Sequence, residues 1–142
     1  MNKVLKLMNM RLNIVAHRLI SDIQQEFNLE FPFLRLEFFD RLGSRSENAG
    51  HVIPGNRKIS DIQLTPMEGV IAINGEMKVN DLVKRLKSEY GLTTKILRKS
   101  GNLWMETTMT DQWTLGQQNN HGEEISTVLR TREPDLDRDA DF

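Results

Sequence analysis

The sequence predicts an α+β domain with the ferredoxin-like, split βαβ order β-α-β-β-α-β and an extra C-terminal strand. Three observations carry that expectation. The stretch Gly69 to Thr108 reads in succession as a strand, an amphipathic helix and a hairpin. A shift of 59 positions lays the N-terminal half on it: Leu12 meets Ile71, Ile14 meets Ile73, Asp22 meets Asp81, Ile23 meets Leu82, Phe27 meets Leu86 and Phe31 meets Tyr90. Finally, Phe33 to Phe39 alternates with apolar residues on both faces, the pattern of a strand inside a sheet. An alternative uses the second half alone. If Ile59 to Leu64 is a strand, the order β-β-α-β-β is β-grasp-like.

The first element is expected as a strand from Arg11 to Ala16, although Leu5, Met8, Leu12, Val15 and Leu19 also keep helical spacing. Ser21 with Gln24 then resembles a capping box, which opens a helix over Asp22–Phe31 that Pro32 ends. Residues 40–58 are rich in glycine, serine and asparagine and read as a mobile loop. Ile59-Ser60-Asp61-Ile62-Gln63 repeats the string Ile20 to Gln24, so a short helical turn is expected before Pro66. Val70 to Asn74 is the next strand. In the helix from Asn80 to Tyr90, Val79, Leu82, Val83, Leu86 and Tyr90 share one face, with Asn80 as N-cap and Gly91 as left-handed C-cap. Strands Thr93–Lys99 and Asn102–Thr108 follow. A two-residue Ser100-Gly101 turn would pair Leu97 with Trp104, Ile96 with Met105 and Lys95 with Glu106. Thr114 and Gln117 form a second capping pattern, and Trp113 is expected to anchor that short helix.

At 142 residues without cysteine, the chain suits one domain over 1–122 and has no disulfide, thiolate nucleophile or cysteine metal site. No apolar run is long enough to span a membrane, and Met1 to Met10 fits a signal peptide poorly, so a cytoplasmic protein is expected. Residues 109–142 carry eight acids and three bases, and residues 123–142 read as a disordered acidic tail. The remainder is mildly basic, a pattern that does not by itself choose an anionic partner.

Alternation assigns Leu34, Leu36, Phe38, Ile71, Ile73, Ile96, Leu103 and Met105 to the core face. The opposite face collects Arg35, Glu37, Phe39, Lys95, Leu97, Lys99, Trp104 and Glu106. Arg35, Phe39, Lys95, Leu97, Lys99 and Trp104 are the binding candidates, because aromatic rings beside cations on an open sheet can stack bases or meet a protein partner. Trp104 has a plainer alternative, packing beside Trp113 under the C-terminal helix or against a second subunit. The segment 84–99 holds Lys84, Arg85, Lys87, Lys95, Arg98 and Lys99, and Arg41, Arg45, Arg57 and Lys58 lie in or beside the loop. Neither has a phosphate-binding motif, since Gly43-Ser44 lacks the ending of a P-loop. His17, His51 and His121 show no metal-ligand spacing, and Ser100 sits in a turn and not a nucleophile elbow. No catalytic residue, metal or cofactor is expected.

Two strings carry a resemblance: Phe31-Pro32-Phe33-Leu34-Arg35-Leu36-Glu37-Phe38-Phe39, and Arg98 to Thr108 running into Thr110-Asp111-Gln112-Trp113-Thr114-Leu115. They resemble a group of small uncharacterised bacterial proteins over about residues 10 to 122. That resemblance implies no site, cofactor or substrate. The functional expectation is a non-enzymatic domain that works through protein contacts and self-associates; the alternative is nucleic-acid binding through the sheet face and segment 84–99.

Overall fold

A computed structural model describes residues 8–40 and 51–140, with side chains described as far as residue 128. The fold is α+β, with two antiparallel sheets and four helices among the described residues, and is compatible with a small ferredoxin-like arrangement. The elements are β1 (Asn9–Ile14), α1 (Ile20–Glu30), β2 (Leu34–Phe39), α2 (Ile59–Ile62), β3 (Gly69–Asn74), α3 (Val79–Tyr90), β4 (Thr93–Ser100), β5 (Leu103–Glu106) and α4 (Leu115–Ala140), with a 3-10 turn at Thr108–Thr110. The added C-terminal strand is β5. Ile59–Ile62 is helical, as the string it shares with Ile20–Gln24 suggests.

The strands divide between two sheets. β1 pairs with β3, and β2 pairs with β4, which in turn pairs with β5. Each half thus pairs its strands with their counterparts in the other half. Leu12 faces Ile71, the residue that lies 59 positions on, and Leu36 faces Ile96 close to the same offset. A pseudo-twofold relation between the halves follows from those two ladders.

The helix starts are cross-braced in the same symmetric way. Ile20 and Ser21 donate their N–H groups to the carbonyls of Arg57 and Gly55 at 2.8 and 2.9 Å, while Ile59 and Ser60 donate to Arg18 and Ala16, both at 2.9 Å. The second half repeats the pattern: Val79 and Asn80 donate to Trp113 and Asp111, and Leu115 and Gly116 donate to Met77 and Gly75. Single antiparallel bridges, Leu19 with Lys58 and Lys78 with Thr114, lie at the two centres. This corrects the expected caps. Neither Ser21 nor Asn80 is an N-cap; those positions are Leu19 and Lys78, without side-chain cap bonds, because a facing backbone segment satisfies the free donors instead. Gly91 is left-handed as expected, with φ of 65°. Thr114 and Gln117 do exchange the bonds of a capping box, at 3.0 and 2.8 Å.

The core is continuous across both halves. Leu12, Ile14, Ile71 and Ile73 from the two-stranded sheet meet Leu34, Leu36, Phe38 and Ile96 from the three-stranded one, with Ile23, Phe27, Leu82 and Leu86 from α1 and α3. Phe27 and Phe31 stack with ring centroids 5.1 Å apart. Burial of each such side chain contributes about 1.5–3 kcal/mol before the cost of ordering it.

Three expectations are corrected. Leu103 and Met105 keep the alternation that points them to the core side, but they are exposed, because β5 extends past the edge of the core. The hairpin loop is Gly101-Asn102, with Gly101 at φ of 67°, so Ser100 pairs with Leu103, Lys99 with Trp104 and Leu97 with Glu106. Moving the loop by one residue moves every pair by two, which preserves the faces. Lastly, the helix after Trp113 is not short, since α4 continues past Glu123 to Ala140. Asn119 accepts the Phe33 N–H at 2.8 Å, and the Ser126 hydroxyl accepts the Gly101 N–H at 3.1 Å. Of the loop expected over 40–58, residues 41–50, including Arg41, Gly43, Ser44 and Arg45, lie outside the described residues. Within residues 51–58, Val52 bridges Phe39, and Ile53 is buried.

Candidate functional site

The register of β2, β4 and β5 decides which side chains share the outer face. Arg35 stands opposite Leu97, Glu37 opposite Lys95, Leu97 opposite Glu106 and Lys99 opposite Trp104. Residues paired across strands point the same way, and alternate residues along a strand repeat that direction. Arg35, Phe39, Lys95, Leu97, Lys99 and Trp104 therefore form one face, together with Glu37 and Glu106.

Charges and rings on this face are already engaged with one another. Arg35 Nε lies 2.8 Å from a Glu37 carboxylate oxygen, and its guanidinium stands 5.8 Å from the centroid of the Trp104 ring. Lys95 Nζ reaches Glu106 at 3.3 Å and lies 5.0 Å from the centroid of Phe39. Glu37 is buried and Trp104 is half-buried. Lys99 has no ion pair among the described residues. Each ring thus has a cation against it, an arrangement worth about 0.5–1 kcal/mol at exposed sites, which any base stacking on that side has to displace.

Trp104 and Trp113 do not pack together. Trp113 lies on the core side of the sheet, where the Arg98 guanidinium stands 6.0 Å from its ring and His121 meets it edge-on at 5.5 Å. Trp113 is itself substantially exposed, so the anchoring of α4 falls to Leu115, Gln118 and Asn119, all buried. Arg98 Nη1 donates to Gln118 Oε1 at 2.8 Å.

The basic segment 84–99 does not make one cationic patch. Arg85 is committed to Glu89 at 3.0 Å, which raises its already high pKa, and Lys87 donates to the Thr93 hydroxyl at 3.1 Å. Lys95 and Arg98 point to opposite faces. Arg57 and Lys58 border α2, where Arg57 pairs with Asp61 at 3.3 Å.

Among the described residues no group of three or more histidines, aspartates or glutamates stands close enough to hold a metal ion. His17 and His51 are exposed and lie on separate loops. No helix among the described residues is long and apolar enough to cross a membrane. The chain matches no family model, and neither a curated protein nor a solved structure is significantly similar to it.

The two edges of the three-stranded sheet differ, a feature that alternation in the sequence does not disclose. Along β2, the carbonyls of Leu34 and Leu36 accept from the Asn28 and Gln24 side chains of α1 at 2.9 and 2.8 Å, and the carbonyl of Phe38 accepts from the Ile53 N–H at 2.8 Å. Among the described residues no comparable bond reaches the backbone of β5 from outside the sheet. β5 also carries Leu103 and Met105 exposed on one side and Trp104 on the other.

Proposed function

We propose that this is a non-enzymatic domain that works through protein–protein contacts and self-associates by antiparallel pairing of β5 with β5 of a second copy. The observation that carries the reading is the open β5 edge, set against a β2 edge whose Leu34, Leu36 and Phe38 carbonyls are engaged. An unprotected edge strand with apolar side chains is a template for another strand. A twofold pairing centred on Trp104 sets Leu103 opposite the partner's Met105 on one face and brings the two Trp104 rings together on the other. It keeps each Glu106 away from the partner's Glu106. A four-residue strand buries little surface, so the association is weak and concentration-dependent. A cytoplasmic setting goes with this reading, since the chain has no cysteine.

Light scattering of the purified protein tests it. A dimer mass is expected at about 50 µM, with dissociation on dilution. Met105→Lys should give a monomer with unchanged circular dichroism, because Met105 is exposed. A wild-type monomer at that concentration would refute the proposal. A second reading, nucleic-acid binding, has Phe39 and Trp104 beside Lys95, Lys99 and Arg35 in its favour. A salt-dependent shift with single-stranded RNA or DNA, abolished by Trp104→Ala, would support it, and no shift at low salt would end it.

A further inference from the structure

β5 is half the length of β4, so Thr93–Ile96 has no neighbouring strand on that side. Between the start of β4 and the flank of α3 lies a groove of about 500 Å³, lined by Val83, Lys84, Lys87, Ser88, Thr93 and Thr94. Its volume suits a small organic molecule, and its surface is mostly apolar. The lysine stems can supply apolar wall while their ammonium groups stay at the rim.

Thr94 is the unusual member. It is only 4% exposed, yet its hydroxyl has no hydrogen-bond partner. Buried hydroxyls without partners are rare in native folds, because solvation is lost with nothing in return. Lys84 and Lys87 add two cations with no carboxylate partner among the described residues. Lys84 is shared with a neighbouring hollow that also contains Glu76 and Asp81, so Lys87, whose ammonium donates to the groove's own Thr93 hydroxyl at 3.1 Å, is the charge that belongs to this groove alone. The charge and the free hydroxyl together select an anion, and the apolar wall selects a hydrocarbon body. The groove lies beside the last turns of α3, near the carbonyl end of the helix dipole, which opposes a dianionic phosphate more than it opposes a monoanion.

We propose that this groove binds a small carboxylate with a short aliphatic chain, its head between Lys87 and the hydroxyls of Ser88 and Thr94 and its tail along Val83. This proposal is independent of self-association through β5.

The experiment is a titration of the ¹⁵N-labelled full chain with octanoate, followed by amide chemical shifts. Saturable shifts are expected at Val83–Ser88 and Thr93–Thr94 below about 5 mM, with no matching response to octan-1-ol or inorganic phosphate. Lys87→Gln should weaken octanoate binding at least about fivefold. Thr94→Val should weaken it as well while leaving the melting temperature unchanged or higher, since it removes an unpaired hydroxyl without changing shape. The proposal is overturned if octanoate gives no saturable shift, if octan-1-ol or phosphate binds equally well, or if Lys87→Gln binds like the wild type.

Discussion

Asp61 stands in the first turn of α2, where its carboxylate accepts from the Lys58 N–H at 2.9 Å and from the Arg57 guanidinium at 3.3 Å. The backbone bond, and then the arginine, hold the carboxyl below its ordinary range. A carboxylate with a depressed folded pKa stabilises the fold above its unfolded pKa, and the gain is lost as pH falls through the folded value. Asp61→Asn should therefore lower the melting temperature at pH 7 by a small amount. The gap should close as pH falls below about 4. Melts of both proteins from neutral to acidic pH check this, and a pH-independent gap would contradict it. Glu37 shows the opposite situation on the outer face. Its charge is nearly buried, so its pairing with Arg35 prevents the large cost of an unpaired buried carboxylate. That Arg35 and Lys95 share a face with Glu37 and Glu106 was legible from the sequence. The placement of both cations against rings was not, because it depends on side chains from strands far apart in the chain.

At the scale of elements, α4 is held by close contact. A Cβ added at Gly122 would come within 3.0 Å of the Arg98 side chain, the Lys99 carbonyl and Phe33 Cβ. Two of those three neighbours cannot swing aside, since one is backbone and one is a Cβ. Gly122→Val should thus push α4 from the β2–β4 surface and destabilise the protein by about 1–3 kcal/mol, read by denaturant unfolding. The near-ultraviolet signal of Trp113 should weaken with it, whereas a surface substitution at Gln117 to Glu should leave that signal unchanged. The start of α4 could be read from Thr114 and Gln117. Its length could not, because the acidic composition past Glu123 argues against an isolated helix, and its hold on the domain comes from tertiary bonds, those of Leu115 and Gly116 to Met77 and Gly75 and those of Asn119 and Ser126 to Phe33 and Gly101.

Across the whole molecule, the two halves stabilise each other. Leu12 and Ile71 are fully buried and directly opposed at the centre of the pseudo-twofold relation. Leu12→Ala and Ile71→Ala should each cost about 2–5 kcal/mol. The double variant should lose measurably less than the sum, because the two truncations open one shared cavity. Strict additivity in chemical denaturation would show that the halves are packed independently.

Local chemistry determined much of this architecture. Periods of 2 and near 3.6 identified the strands and helices, set the faces of β2 and β4, and placed Arg35, Phe39, Lys95, Leu97, Lys99 and Trp104 together. Gly91 and the Thr114–Gln117 pair marked helix ends through side-chain or backbone properties of single residues. Tertiary structure alone decided that β2 pairs with β4, that the hairpin turns at Gly101-Asn102, that facing backbone segments brace the helix starts, and that β5 is too short to cover Thr93–Ile96. The physical reason is common to these features. They depend on which backbone N–H and C=O groups meet, and those groups are the same in almost every residue, so the pairing leaves little mark in the side-chain sequence.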